Sequence, residues 1–187
     1  MPSINFYFMR HGESTANQQG LIAGSDDCEL THRGKLQVAQ AAYYLRGQGI
    51  HFDLIMSSPQ VRSLDTAEIL AEGIGYPEER IISIRGLAER RFGSYEGTAN
   101  EEGVSVNDYV ITSSGGESEA DFMQRMELCR AELYNVASSK QAKLVLIVSH
   151  SWVYRGLGAL AKGDYTPGDL ASRQRLKNAN ITFLDKM

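Results

Sequence analysis

The 187-residue chain has little of what would staple a small fold or seat it in a membrane. It has only two cysteines, Cys28 and Cys129, far apart and without metal-type spacing. A reduced, cytoplasmic protein is the simplest reading, with a single structural disulfide left open. The four histidines, His11, His32, His51 and His150, are too scattered to suggest a zinc site, although ligands can converge from distant segments. No stretch approaches the roughly 18 consecutive apolar residues of a membrane span, so no membrane partner is expected. The N-terminus lacks a basic region followed by a hydrophobic stretch and a cleavage site, so no secretory signal is visible. There is no basic block, and a net charge of -4 argues against nucleic acid as a partner.

What remains is the composition of an ordinary globular protein, 42% hydrophobic and 22% charged. The length suits one domain over 1–187, large enough to bury its core without disulfides or metals. There is no internal repeat, linker or low-complexity segment. Apolar runs alternate with helical periodicity. Ile4 to Met9, Asp53 to Met56, Arg80 to Ile84 and Lys143 to Val148 read as strands. The last of these, almost purely aliphatic, is the best candidate for a central strand buried on both faces. Ile181 to Leu184 reads as a final strand at an antiparallel edge.

Between the strands, Glu13 to Asp27 reads as a loop. A helix opens at Thr31, a plausible N-cap, with Leu36, Ala39, Ala42, Tyr43 and Leu45 as its apolar stripe and Gly47 and Gly49 at its end. Tyr43 and Tyr44 read as packing residues. Further helices are expected over about Gln60 to Glu72, with Pro59 at its start, over Glu119 to Ala137, and after His150. Residues 94–118, the least regular region, are expected to form a mobile insertion flanking the site. Strand–helix alternation predicts an α/β layered fold in which strand C-termini share one edge.

That edge collects the chemistry. Arg10 and His11 end the first strand, and Gly12 lets the backbone turn sharply. An imidazole beside an arginine is poorly placed to be a cationic acid and well placed to be a neutral nucleophile toward a bound anion. Arg62 falls in the first turn of a helix, where a cation is awkward unless an anion is seated there; an exposed pairing with Asp65 or Glu68 is the alternative. His150 repeats the position of His11 at the end of the aliphatic strand. Glu89, between apolar neighbours and Arg90 and Arg91, reads first as an ion-pair partner and second as an acid. Trp152 suits a substrate platform and a lid on the core equally. Guanidiniums, imidazoles and a carboxyl at one edge describe a phosphoryl pocket containing a nucleophile.

At this point the chain resembles the histidine phosphatase superfamily, which includes the cofactor-dependent phosphoglycerate mutases. The resemblance rests on Arg10-His11-Gly12-Glu13-Ser14 with Asn17, Leu30-Thr31 with Gly34, and Ser57-Ser58-Pro59 with Arg62 and Thr66-Ala67. It continues through Leu87, Glu89, Phe92-Gly93, Glu96-Gly97, Gly115-Gly116-Glu117-Ser118 and Val148-Ser149-His150. In this order and spacing the set is highly specific and covers nearly the whole chain.

The resemblance implies a three-layer α/β/α sandwich with a mostly parallel central sheet, phosphoglycerate mutase-like, acting on a small phosphorylated substrate without metal or cofactor. It implies a phosphohistidine at His11, phosphoryl oxygens held by Arg10, Arg62 and His150, and Glu89 as proton donor, against the ion-pair reading. Asn17, Gly24, Phe92, Ser151 and Trp152 are the further phosphate- or substrate-binding positions it implies. The chain departs from the family where two glycines commonly follow the second histidine; here Ser151 and Trp152 stand there. Mutases also carry extra basic residues after the Glu89 region, whereas between Gly97 and His150 cations are few and Glu101-Glu102 appears. A phosphatase is therefore favoured over a mutase, with a non-catalytic phospho-ligand-binding domain as the third option. The physiological substrate and the oligomeric state, a homodimer included, are left open.

Overall fold

The computed structural model describes residues 3–99 and 108–184. Its frame is a five-stranded sheet of β1 (Asn5–Arg10), β2 (Leu54–Ser57), β3 (Ile82–Ser83), β4 (Leu144–Ser149) and β5 (Ile181–Leu184), in the order β3-β2-β4-β1-β5. The pairs β1–β4, β2–β4 and β2–β3 are parallel, and β5 closes one edge antiparallel to β1. The aliphatic run thus occupies the centre, where both faces are covered and alternation is not required.

The helices are α1 (Thr15–Gln19), α2 (His32–Gly47), α3 (Val61–Ile74), α4 (Asp108–Ser113), α5 (Glu119–Ser139) and α6 (Ser151–Lys162). Alternate strand residues feed two cores. Phe6, Phe8, Met56, Val145 and Ile147 pack with Phe122, Met126 and Leu133 of α5 and Val153 and Leu157 of α6. Met9, Ile55, Leu146 and Val148 pack with Val38 and Ala42 of α2 and Ala67 and Leu70 of α3. A strand side-chain period of two and a helix layer on each face produce the expected three-layer sandwich.

Several local expectations are corrected. The Glu13 to Asp27 loop contains α1, started by a reciprocal capping box between Ser14 and Asn17 and stopped by Gly20 at φ 68. In α2 the buried stripe is Gly34, Val38, Ala42 and Leu45, which leaves Leu36 at 52%, Tyr43 at 83% and Tyr44 at 64% exposure. The tyrosines face outward because α2 turns its small residues toward α3 and the sheet. The third strand shrinks to Ile82–Ser83, since Glu78–Arg80 after Pro77 forms a 3-10 turn. Pro59 precedes the N-cap Gln60 and lies outside the first turn of α3. Of the 94–118 insertion, residues 100–107, with Glu101 and Glu102, lie outside the described residues. Cys28 and Cys129 are free thiols.

Candidate active site

The C-terminal ends of β1 and β4, the start of α3 and the segment around Glu89 border a cavity of about 100 Å³. Its walls include Arg10, His11, Asn17, Gly24, Arg62 and Glu89. Phe92, Ser151 and Trp152 of the expected set also line it, and Arg175 joins them, whereas His150 lies behind the wall and is not part of the lining.

His11 arrives at the end of β1 and is 4% exposed. Its Nδ1 is 2.7 Å from the carbonyl oxygen of Gly12. A carbonyl can only accept, so Nδ1 carries the proton and Nε2 the lone pair. The following turn is possible because residue 12 is glycine. A Cβ there would come within 2.7 Å of the Gly34 carbonyl oxygen, and one on Gly34 within 2.1 Å of the Glu13 oxygen. The Gly12 N–H donates to Thr66 Oγ1 at 3.0 Å, and Asn178 Nδ2 donates to the His11 carbonyl at 3.0 Å and to Asn17 Oδ1 at 2.9 Å. Burial first, and then the charges of Arg62 and Arg10, hold His11 well below its ordinary value, so the ring is neutral.

His150 ends β4, fully buried, with its ring centroid 5.2 Å from that of His11. Its Nε2 is 2.7 Å from Ser58 Oγ and 3.3 Å from Ser63 Oγ, while Nδ1 has no partner among the described residues. Burial, followed by Arg62, His11 and Arg10, keeps this ring neutral too.

Arg62 is 1% exposed, which excludes the surface pairing with Asp65 or Glu68. It donates through Nη1 to Asp26 O at 2.8 Å and through Nη2 to Gly24 O at 2.9 Å, pinning the loop after α1. Arg10 donates through Nη1 to Leu176 O at 3.0 Å. The Nε atoms of both arginines and Oγ of Ser151 are buried without a partner among the described residues. An unsatisfied buried donor costs about 1–3 kcal/mol, so orphaned donors on three residues that line one cavity suit a site for acceptor oxygens.

Glu89 is 9% exposed. Its carboxylate accepts from the N–H of Arg90 at 3.0 Å and of Trp152 at 3.2 Å, and its own N–H donates to Gln60 Oε1 at 2.8 Å. Burial pushes its pKa up, and the two N–H groups with Arg62 and Arg10 only partly oppose this. The segment before it is fixed by Arg125, which donates to the carbonyls of Gly86 at 2.8 Å and Ala88 at 2.7 Å while gripping both oxygens of Glu117. Glu89 thus forms no salt bridge with Arg90 or Arg91 among the described residues.

Trp152 is 8% exposed. The guanidiniums of Arg90 and Arg155 lie 4.8 and 4.9 Å from its ring centroid, and Phe92 meets it edge-on at 5.7 Å. It is chiefly a core lid whose margin reaches the cavity. Sequence reasoning missed Arg175, which lines the cavity and follows His150, outside the interval in which extra cations are scarce. Among the described residues no three His, Cys, Asp or Glu side chains are grouped to hold a metal ion, and no helix is long and apolar enough to cross a membrane.

The sequence profile of the histidine phosphatase superfamily (branch 1) matches residues 6–186, and the chain belongs to that superfamily. It is 29% identical over 155 residues to the broad-specificity phosphatase YOR283W of Saccharomyces cerevisiae, spanning 81% of this chain and 67% of the yeast protein. It is 28% identical over 178 residues to the 2,3-bisphosphoglycerate-dependent phosphoglycerate mutase of Beijerinckia indica, spanning 89% of this chain and 84% of the mutase. Among solved structures, the alpha-ribazole phosphatase from Shigella flexneri superposes with a TM-score of 0.75 at 26% identity, covering 96% of this chain and 89% of that one. Phosphatases and mutases both stand among its relatives, so the chain is an enzyme of phosphoryl chemistry.

Proposed function

We propose that the protein is a phosphatase that hydrolyses small phosphate monoesters through a covalent phosphohistidine at His11. The observation that carries this is the pair His11 and Glu89 in one cavity, an imidazole held neutral with Nε2 free and a carboxyl pushed toward its protonated form.

A phosphate monoester spreads charge over its equatorial oxygens as the bond to the leaving group loosens, so catalysis is placement and charge stabilisation. Arg10 and Arg62 line the cavity with unpartnered Nε–H groups available to those oxygens, and Ser151 Oγ adds a further donor. With Nε2 of His150 accepting the Ser58 hydroxyl, its Nδ1–H is available to an oxygen as well. His11 Nε2 forms the N–P bond while the ester P–O bond breaks. The leaving alkoxide takes the Glu89 proton. Water then attacks phosphorus, giving its proton to the Glu89 carboxylate, and the N–P bond breaks to restore His11 and release phosphate. Asn17, Gly24, Phe92 and the margin of Trp152 line the rest of the cavity and bear on the leaving group.

The test is turnover of p-nitrophenyl phosphate with trapping of the intermediate. The parent protein should release phosphate and give an acid-labile, base-stable phosphoenzyme. His11→Ala should lose both, and turnover near the parent rate would remove the nucleophile. Sequence similarity to the Beijerinckia enzyme supports a mutase as the second reading. It would show as phosphoryl transfer between two positions of one acid, dependent on 2,3-bisphosphoglycerate, instead of phosphate release.

A further inference from the structure

A second cavity, of about 200 Å³, lies between α6, β5 and the segment at Arg173 and Gln174, and shares no lining residue with the first. Arg155 lines it and is 3% exposed. Its guanidinium lies over the Trp152 ring, 4.9 Å from the centroid. Its Nε is buried without a partner, and it forms no ion pair among the described residues. Burial, and then the charge of Arg175, lowers its pKa to about 10. A buried cation without a counter-charge is costly to keep. Stacking uses only the face of the guanidinium, so its in-plane N–H groups remain for an oxyanion. The other cations on this cavity are satisfied. Arg173 is gripped by Asp164 at 2.8 Å and Asp169 at 2.6 Å. Lys162 is exposed to water, two helical turns from Arg155, about 10 Å along α6.

Between Arg155 and Lys162 stands Gly158. A glycine inside a helix is less favourable than alanine and calls for a reason. Gly156 has one: a Cβ there would come within 2.8 Å of Met126 and 2.9 Å of Phe122. At Gly158 a Cβ would meet nothing within 4 Å. The missing side chain leaves the floor of the cavity open, and Ala161, Phe183 and Leu184 give it apolar walls.

We infer that this cavity is a binding site for a small organic carboxylate, its apolar body against Phe183 and Leu184 and its two oxygens on Arg155, with Lys162 at the mouth. The buried charge left uncompensated is single, which suits a monoanion better than a phosphate dianion, and a guanidinium fork meets both oxygens of a carboxylate. The volume admits one substituted ring, since an apolar cavity of about 150 Å³ admits benzene. The site is separate from the phosphoryl cavity and stands whether or not the protein is a phosphatase.

The probes are benzoate, benzamide, which has the same shape without the charge, and acetate, which has the charge without the ring. Binding of each to the full chain is measured by calorimetry. Benzoate should bind about tenfold or more tightly than benzamide, the scale of one charge-assisted contact, and about tenfold or more tightly than acetate. Gly158→Leu, which fills the floor, should abolish benzoate binding. Arg155→Met should bring benzoate and benzamide within about twofold of each other. Urea midpoints show whether the variants are folded. If either fails to fold, Lys162→Glu at the exposed mouth decides: it should weaken benzoate about threefold or more and leave benzamide unchanged, and an unchanged ratio there overturns the inference. Failure of benzoate to bind the parent protein, binding no tighter than that of benzamide or acetate, or binding that survives in folded Gly158→Leu also overturns it.

Discussion

The carboxylate of Glu89 rests 3.2 Å from the backbone N–H of Trp152, in the first turn of α6, so the proposed proton donor and the aromatic lid are one unit. A helix N-terminus favours the ionised carboxylate, while burial favours the protonated one, and burial is the larger effect here. The outcome is a carboxyl pushed toward its protonated form, as the proposed proton donor requires. Removing that proton should therefore matter most where the leaving group is a poor one.

Glu89→Gln accordingly should slow alkyl phosphates by about 10²- to 10⁴-fold, the usual range for one acid–base group, and p-nitrophenyl phosphate far less. In the parent protein kcat/KM for alkyl esters should fall as pH rises through the raised Glu89 value, and this alkaline limb should vanish in the variant. The pair of pH profiles is the measurement; a parent profile flat into alkaline pH sinks the assignment.

Gly12→Ala should destabilise the fold as well as the site. Its Cβ would lie 2.7 Å from the Gly34 carbonyl oxygen and 3.0 Å from Val38 Cγ2, backbone and core on the same side. Overpacking of this kind costs about 1–3 kcal/mol, readable as a lower urea midpoint. Because the Gly12 carbonyl also fixes His11 Nδ1, turnover should fall further than the folded fraction does.

How much of this was legible beforehand differs by residue. The strand ends carrying Arg10, His11 and His150 were readable because continuous apolar runs stop abruptly at charged or imidazole side chains. Arg62 was readable from its misfit at a helix start. The α2 stripe was misread because Tyr43 and Leu36 satisfy helical spacing as well as Val38 does; only packing against α3 selects the small-residue face. α1 was hidden by its five-residue length, although Ser14 and Asn17 held the capping signal. Arg175 was invisible because a coil arginine reads as solvated; only the fold brings it to the cavity wall.

Trp152 should prove more important to stability than to substrate contact. Trp152→Ala removes the ring between the Phe92 edge and the Arg90 and Arg155 guanidiniums, and large-to-small changes of this size cost about 3–5 kcal/mol. Trp152→Phe keeps an aromatic face and should cost less than half as much. Urea midpoints of the two variants check the order. Equal losses would show that the aromatic face and volume phenylalanine retains contribute nothing at this position.

Acid should unfold the protein through its two active-site imidazoles. Burial, with Arg62 next in effect for both, holds His11 and His150 well below 6.5 in the folded state. In the unfolded chain each titrates near 6.5. Below that pH the unfolded state binds more protons, so each ring weakens the fold by about 1.4 kcal/mol per pH unit until its depressed folded value is reached. The stability they supply is complete above about pH 6.5 and is lost as pH falls. Glu89 acts in the opposite sense: its folded value is raised above 4.5, so it disfavours folding at neutral pH and relents as acid protonates it. Two rings against one carboxyl leave a net loss of stability between about pH 6.5 and 4.5. Urea midpoints at pH 7.5, 6 and 5 should therefore decline in the parent. The decline should be shallower, by one imidazole's share, in His150→Gln. A parent midpoint that does not change over this range would mean that neither ring is held neutral, and the nucleophile assignment would lose its electrostatic basis.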